Sequence, residues 1–178
     1  DQKLDWSVTC REIVDKTGKF TGEYQQIIQL NDANLSVKPT LFIAVCDRSS
    51  SMNGQPWSQV ENALLHMIGL SRGSRVVQLG CVMYDSIAEI IDISQVTREN
   101  ISNYFTDGGT VFTGAFNKIG ELLRANRNGI YDRAIVAFMT DGQSGQDHNM
   151  LATELRDVIR ESWTKPCIVH SIGFGACD

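Results

Sequence analysis

No stretch of this sequence approaches the ~18 consecutive apolar residues that a membrane-spanning helix requires, so membrane insertion is not expected. Basic runs are also missing. Arginines are scattered around Arg124, Arg127 and Arg133, and the formal net charge is -5. That balance argues against a nucleic-acid partner, which needs a basic face to meet phosphates. No C-x-x-C pair occurs, which removes the usual framework of a structural zinc site. Residues 109–114 have the glycine spacing of a phosphate loop, but Ala115 and Phe116 stand where the lysine and the hydroxyl residue belong. The opening residues, Asp1 to Trp6, carry neither the basic nor the apolar region of a signal peptide, although a trimmed chain would lose one. Internal repeats and low-complexity tracts are absent.

What remains is the composition of an ordinary globular chain: 178 residues, 42% hydrophobic and 21% charged, enough to bury a proper core. Of the five cysteines, Cys46, Cys81 and Cys167 sit in or beside apolar, strand-like runs, where a free thiol acts as a small hydrophobe. Cys10 and Cys177 lie near the two ends, and a bridge between them would close the domain. Two acceptor sequons, at Asn34 and Asn100, match what chance supplies at this length. The cysteine usage favours a reducing, intracellular setting.

Residues 1–40 read as an appended β hairpin. Alternating runs at 6–14 and 22–30 flank a glycine-bearing turn. From residue 41 to 178 strands alternate with helices. Residues 41–46 form a continuous apolar run, as in a strand covered on both faces. Pro56 opens a helix striped by Trp57, Val60, Leu64, Met67 and Ile68. Strands follow at 75–83 and 87–93, the latter as an antiparallel edge. A short helix capped by Thr97 is expected at 97–104. Phe112, Phe116, Ile119, Leu122 and Leu123 mark the next helix, and residues 133–139 a buried strand. A helix striped by Leu151, Leu155, Val158 and Ile159 and a strand at 167–174 complete the series. The pattern predicts an α/β, doubly wound, Rossmann-like fold: a mostly parallel sheet with helices on both faces and one antiparallel edge strand, preceded by the hairpin. His66 and His170 are expected to be structural.

Open sheets of this type bind ligands beyond the carboxyl ends of their strands, near the point where strand order reverses. Three segments emerge there: Asp47-Arg48-Ser49-Ser50-Ser51, Gly108-Gly109-Thr110 and Thr140-Asp141-Gly142. Together they offer two carboxylates and three hydroxyls with no sulfur or imidazole, a set suited to Mg²⁺, Mn²⁺ or Ca²⁺. The alternate spacing of Asp47, Ser49 and Ser51 lets a curling loop turn all three towards one ion. Mg²⁺ demands an octahedron and usually keeps several waters, one of which an incoming carboxylate can replace.

These three segments, in this order and spacing, resemble the metal-ion-dependent adhesion site of von Willebrand factor type A domains, and the segment from His170 to Gly175 resembles that family's last core strand. The likeness covers roughly residues 40–178. It implies a non-catalytic module in which Ser49, Ser51 and Thr110 supply hydroxyls to a Mg²⁺ or Mn²⁺ ion. Asp47 and Asp141 would bind the ion directly or through water. An exposed Asp or Glu of a partner protein would complete the shell. Glycine is common in the family where Ser50 stands, and the chain stops soon after the last strand, which leaves helix-shift regulation in doubt. Contacts to the partner are expected from Asn53, Gln55, Val111, Phe112, Gln143 and His148, within a larger multidomain protein. The front hairpin resembles the lead-in of some intracellular relatives.

Other readings compete. Asp- and Ser-rich loops after strands also serve as turns and caps. Thr113 reads as a first-turn helix residue, and Asp107 as a solvated turn acid. Asp47 could instead be the nucleophile of a Mg²⁺-dependent phosphohydrolase with Asp141 holding the ion. Ser49 then stands where such enzymes place a second acid. A metal-free scaffold is the third class.

Overall fold

Along the strand β3 (Thr40–Asp47) side chains alternate between two cores. Leu41, Ile43 and Val45 face one helical layer, while Ala44 and Cys46 face the other, and all five are fully enclosed. This two-sided burial is why the strand reads as an unbroken apolar run. The computed structural model describes residues 6–14, 20–30, 38–141 and 147–174. The side chain of Cys10, the Asn34 sequon, and Gly142, Gln143, Gly175 and Cys177 lie outside what is described.

The chain divides into two compact units, Asp1–Val37 and Lys38–Asp178. In the first, β1 (Trp6–Val14) and β2 (Phe20–Leu30) pair antiparallel, with Trp6 opposite Leu30 and Val14 opposite Phe20. The second unit starts just ahead of the apolar run, because Thr40 is already paired with Val77 on one side and Arg133 on the other.

The second unit is a five-stranded sheet in the order β5-β4-β3-β6-β7. Its other strands are β4 (Val77–Tyr84), β5 (Ala88–Ile91), β6 (Arg133–Thr140) and β7 (Cys167–Gly173). All neighbours run parallel except β5, which lies antiparallel to β4 at the edge. The sequence predicts this edge. Helix α1 (Gln55–Arg72) covers one face with Trp57, Val60, Leu64 and Ile68. Helices α2 (Phe112–Asn126) and α3 (His148–Ser162) cover the other, through Phe116, Ile119, Leu123 and Leu151. Strand order reverses between β3 and β6, which locates the ligand-binding crevice of such folds. Among the described residues no helix is long and apolar enough to cross a membrane.

Local departures have local causes. Residues 97–100 turn without forming the expected capped helix, and only a 3₁₀ turn, Ile101–Tyr104, follows. Here the Asn100 side chain accepts a hydrogen bond from the Thr97 N–H (2.9 Å) and donates to the Gln95 carbonyl (2.8 Å). The turn closes on the Thr97 carbonyl, which accepts from the N–H groups of Asn100 (3.3 Å) and Ile101 (3.0 Å), and it does not continue as a regular α-helix. Asp147 caps α3 by accepting from the N–H groups of Asn149 and Met150. His66 and His170 are exposed.

Leu64 and Ile119 fill the two opposite faces of the sheet and are fully enclosed. Truncating either to alanine is expected to cost about 2–5 kcal/mol. The double variant should lose the sum to within about 0.5 kcal/mol, since the two sites share no partners. Chemical denaturation of the three variants measures this directly.

Candidate functional site

Sheet register assembles the heart of the site. Asp47, the last residue of β3, pairs with Tyr84 at the end of β4. One step beyond the Cys46–Met139 pair, it also lies beside Thr140 at the end of β6. All three side chains point to the α2/α3 face. The Asp47 Oδ2 accepts hydrogen bonds from the Thr140 hydroxyl (2.7 Å) and the Tyr84 hydroxyl (3.3 Å). Its Oδ1 accepts from the Ser49 N–H (2.9 Å). Asp47 is fully buried. Burial raises its pKa above the ordinary carboxylate value, hydrogen bonds from Ser49 and Thr140 pull against that rise, and the nearby charge of Asp141 adds to it. Burial beside this carboxylate also pushes the Tyr84 hydroxyl far up, so it stays a donor.

The chain then turns sharply. Ser49 is buried and extended (φ -66°, ψ 167°) and precedes a single 3₁₀ turn, Ser50–Met52, whose Met52 plugs into the α1 core. This turn brings the Ser49 and Ser51 hydroxyl oxygens to 3.2 Å. Adjacent corners of an octahedron with bonds of ~2.0–2.1 Å are ~2.9 Å apart. The pair is therefore spaced to serve as neighbouring ligands of a small, hard cation. Asp47 has most of its lone pairs engaged by protein donors, which suits it to hold a water of such an ion. Among the described residues no group of three or more His, Cys, Asp or Glu side chains is placed to hold a metal. The donor set here is hydroxyl-rich, and all of it is oxygen, so it fits Mg²⁺, Mn²⁺ or Ca²⁺ and does not fit zinc.

Thr110 enters through its loop, residues 105–111. The Ser50 N–H donates to the Gly108 carbonyl (3.0 Å), and the Val111 N–H to the Asp85 carbonyl (2.9 Å). The Gly109 N–H donates to the Ser86 hydroxyl (2.9 Å). Glycine is needed at 108, because a Cβ there would lie 2.9 Å from Asp85 Cγ. Thr110 is half-buried, as is Asp141, which directly follows β6.

Of the residues expected at the partner face, Asn53, Gln55, Val111 and His148 are exposed. Phe112 is not. It is a core residue, its ring 5.4 Å from Tyr84, 6.1 Å from Phe116 and 6.5 Å from Phe138. As the first residue of α2 it falls on the helix's apolar stripe, and its neighbour Val111 takes the outward position. Gln143 lies outside the described residues. Sequence reasoning missed Tyr84, because the residue faces Asp47 only once the parallel register is known.

A family model described as the von Willebrand factor type A domain matches residues 42–178. Among solved structures, an aerotolerance-related membrane protein from Bacteroides fragilis, carrying multiple mutations to serine, superposes with a TM-score of 0.51 at 16% identity, over 76% of this chain and 68% of its own. The conserved hypothetical protein BatB from Bacteroides thetaiotaomicron gives 0.52 at 16% identity, over 75% and 66%. A von Willebrand factor type A protein from Catenulispora acidiphila gives 0.51 at 13% identity, over 76% of this chain and 34% of its own. No curated protein matches.

Because the Asp47 pKa is raised in the fold, its ionised form weakens the metal-free domain as pH climbs through that pKa. Asp47→Asn removes the buried charge and keeps an acceptor for the Ser49 N–H. In chelator at pH 7 the variant should melt above the wild type, by about 2–4 °C for each ~1 kcal/mol relieved. The gap should close as pH falls towards the ordinary aspartate value. Thermal scans of both chains across pH test this, and a variant that melts lower at pH 7 would contradict it.

Proposed function

From the membership of this chain in the von Willebrand factor type A domain family, commonly used as protein-interaction modules, we propose that it binds one divalent cation and uses it to capture an acidic residue of a partner protein. The cation is Mg²⁺ or Mn²⁺, with Ca²⁺ as the third candidate. Ser49, Ser51 and Thr110 would hold it through hydroxyls, and Asp47 and Asp141 directly or through water. The observation that carries this reading is the Ser49–Ser51 hydroxyl pair, 3.2 Å apart beside a buried carboxylate. When bound, the ion supplies a localised positive charge in a partly desolvated pocket, where a partner's carboxylate is attracted more strongly than in water.

The protein's own residues set the rest. Thr140 and Tyr84 lock the Asp47 carboxylate in one orientation, and the Ser49 N–H fixes its second oxygen. Asn53, Gln55, Val111 and His148 are exposed and would give the partner face its specificity, together with Gln143. We assign the module no catalytic step. A phosphohydrolase would need Asp47 as an accessible nucleophile, but this side chain is fully enclosed and accepts three hydrogen bonds.

Calorimetric titration with Mn²⁺ and Mg²⁺ should reveal one site, which the double variant Ser49→Ala, Ser51→Ala weakens at least tenfold or abolishes. A wild-type chain that binds neither ion would end the metal reading. Capture of partners from a cell extract should depend on Mg²⁺ and disappear in chelator or with Asp47→Ala; capture indifferent to both favours a metal-free scaffold. Turnover of generic phosphoesters, stopped by Asp47→Asn, would replace the binding module with an enzyme.

A further inference from the structure

One charged group next to the site has no part in ligating a cation, yet it is almost completely buried: Arg48, at 4% exposure. Its Nη1 donates to Glu89 Oε1 (2.5 Å), and its Nε lies 3.4 Å from Asp85 Oδ2, an ion pair without an aligned hydrogen bond. Its backbone is engaged as well. The Arg48 N–H donates to the Tyr84 carbonyl (2.9 Å), and its own carbonyl lies 3.1 Å from the Thr106 hydroxyl. That hydroxyl has one proton, and Asp85 Oδ2 is its second acceptor within reach. Arg48, Asp85 and Thr106 thus belong to three different segments: the loop after β3, the β4–β5 turn and the loop that carries Thr110. Asp85 ties the last two together again through its carbonyl, which accepts from the Val111 N–H.

A buried ion pair adds little net stability over well-packed apolar groups, because desolvation offsets the attraction. What it does supply is a fixed geometry, and a guanidinium fork holds that geometry better than an ammonium. The group is also electrostatically suited to a cation site: one arginine between two carboxylates leaves a net charge of -1, so no positive field opposes an incoming ion.

We propose that Arg48 is a positioning residue that fastens the Thr110 loop and the β4–β5 turn against the Ser49–Ser51 loop, holding the hydroxyl set ready before a cation arrives. This inference rests on the metal-binding reading for its consequence, though not for the fastening itself. Two readouts separate them. In the metal-free chain, amide hydrogen exchange at Ser50, Gly109 and Val111 reports three of the bonds that cross between the segments. In Arg48→Met these amides should exchange at least tenfold faster, while Val45 and Val82 in the core stay unchanged. Mn²⁺ affinity should fall about 10–100-fold, the usual cost of losing support behind ligands. Arg48→Lys, which keeps the charge and loses the fork, should recover part of both effects.

Thr106→Val, which leaves all charges in place, serves if the arginine variants do not fold, and should loosen the same three amides. Unchanged exchange at those amides would overturn the fastening. Loosened amides with Mn²⁺ affinity within twofold of wild type would overturn the positioning role. A wild-type chain that binds no Mn²⁺ would sink the metal reading and the positioning role together, while the exchange data would still decide whether Arg48 joins the segments.

Discussion

A single buried carboxylate organises this end of the sheet. Asp47 is withdrawn from water at the tip of the central strand, and an ionised group in that position must be met by donors or it shifts towards its neutral form. Two of the three donors come from the strands on either side, whose parallel register leaves Tyr84 and Thr140 level with Asp47, and the third is the Ser49 N–H of its own loop. Two of the hydrogen bonds are therefore a product of strand pairing itself, and the loops that follow take their starting direction from a fixed point.

From that point the labour divides. The strand ends supply rigidity, the 3₁₀ turn after Ser49 supplies the closely spaced hydroxyls, and the loop before α2 closes over Asp85 at a glycine. Metal and partner belong to the proposal; the family and its fold do not. The solved neighbours share at most about half of the maximal superposition score and less than a fifth of the sequence, so they speak for architecture alone.

Much of the architecture was legible in the residues. The two-sided burial of β3 and β6 prints itself as continuous apolar runs, and the stripes of α1, α2 and α3 follow helical spacing. Asp47 and Asp141 could be singled out because they stand at the ends of neighbouring parallel strands, where folds of this type place their ligands. What escaped was pairwise. Tyr84 faces Asp47 only through a register that no local pattern encodes. Nothing local marks Arg48 as a buried residue; its partners Asp85 and Glu89 lie about forty positions away in the chain. Phe112 carries two readings in the sequence, helix stripe and partner contact, and its ring packs in the core against Tyr84, Phe116 and Phe138. Residues 97–100 have good capping letters, and the turn they start closes on the Thr97 carbonyl without continuing as an α-helix.

The Thr140–Asp47 hydrogen bond has one more implication. Its partners are 93 residues apart in the chain, and they meet through parallel strands that require β6 to dock beside β3 after α1, β4, β5 and α2 have intervened. Contacts of such sequence separation carry a large loop-closure cost and are characteristic of slow-forming topologies. A one-residue slip between these strands would turn Thr140 away to the opposite face. The carboxylate's environment is consequently a reporter of correct assembly: a chain that has collapsed with its helices formed but its central strands out of step would have every residue of the site and no site.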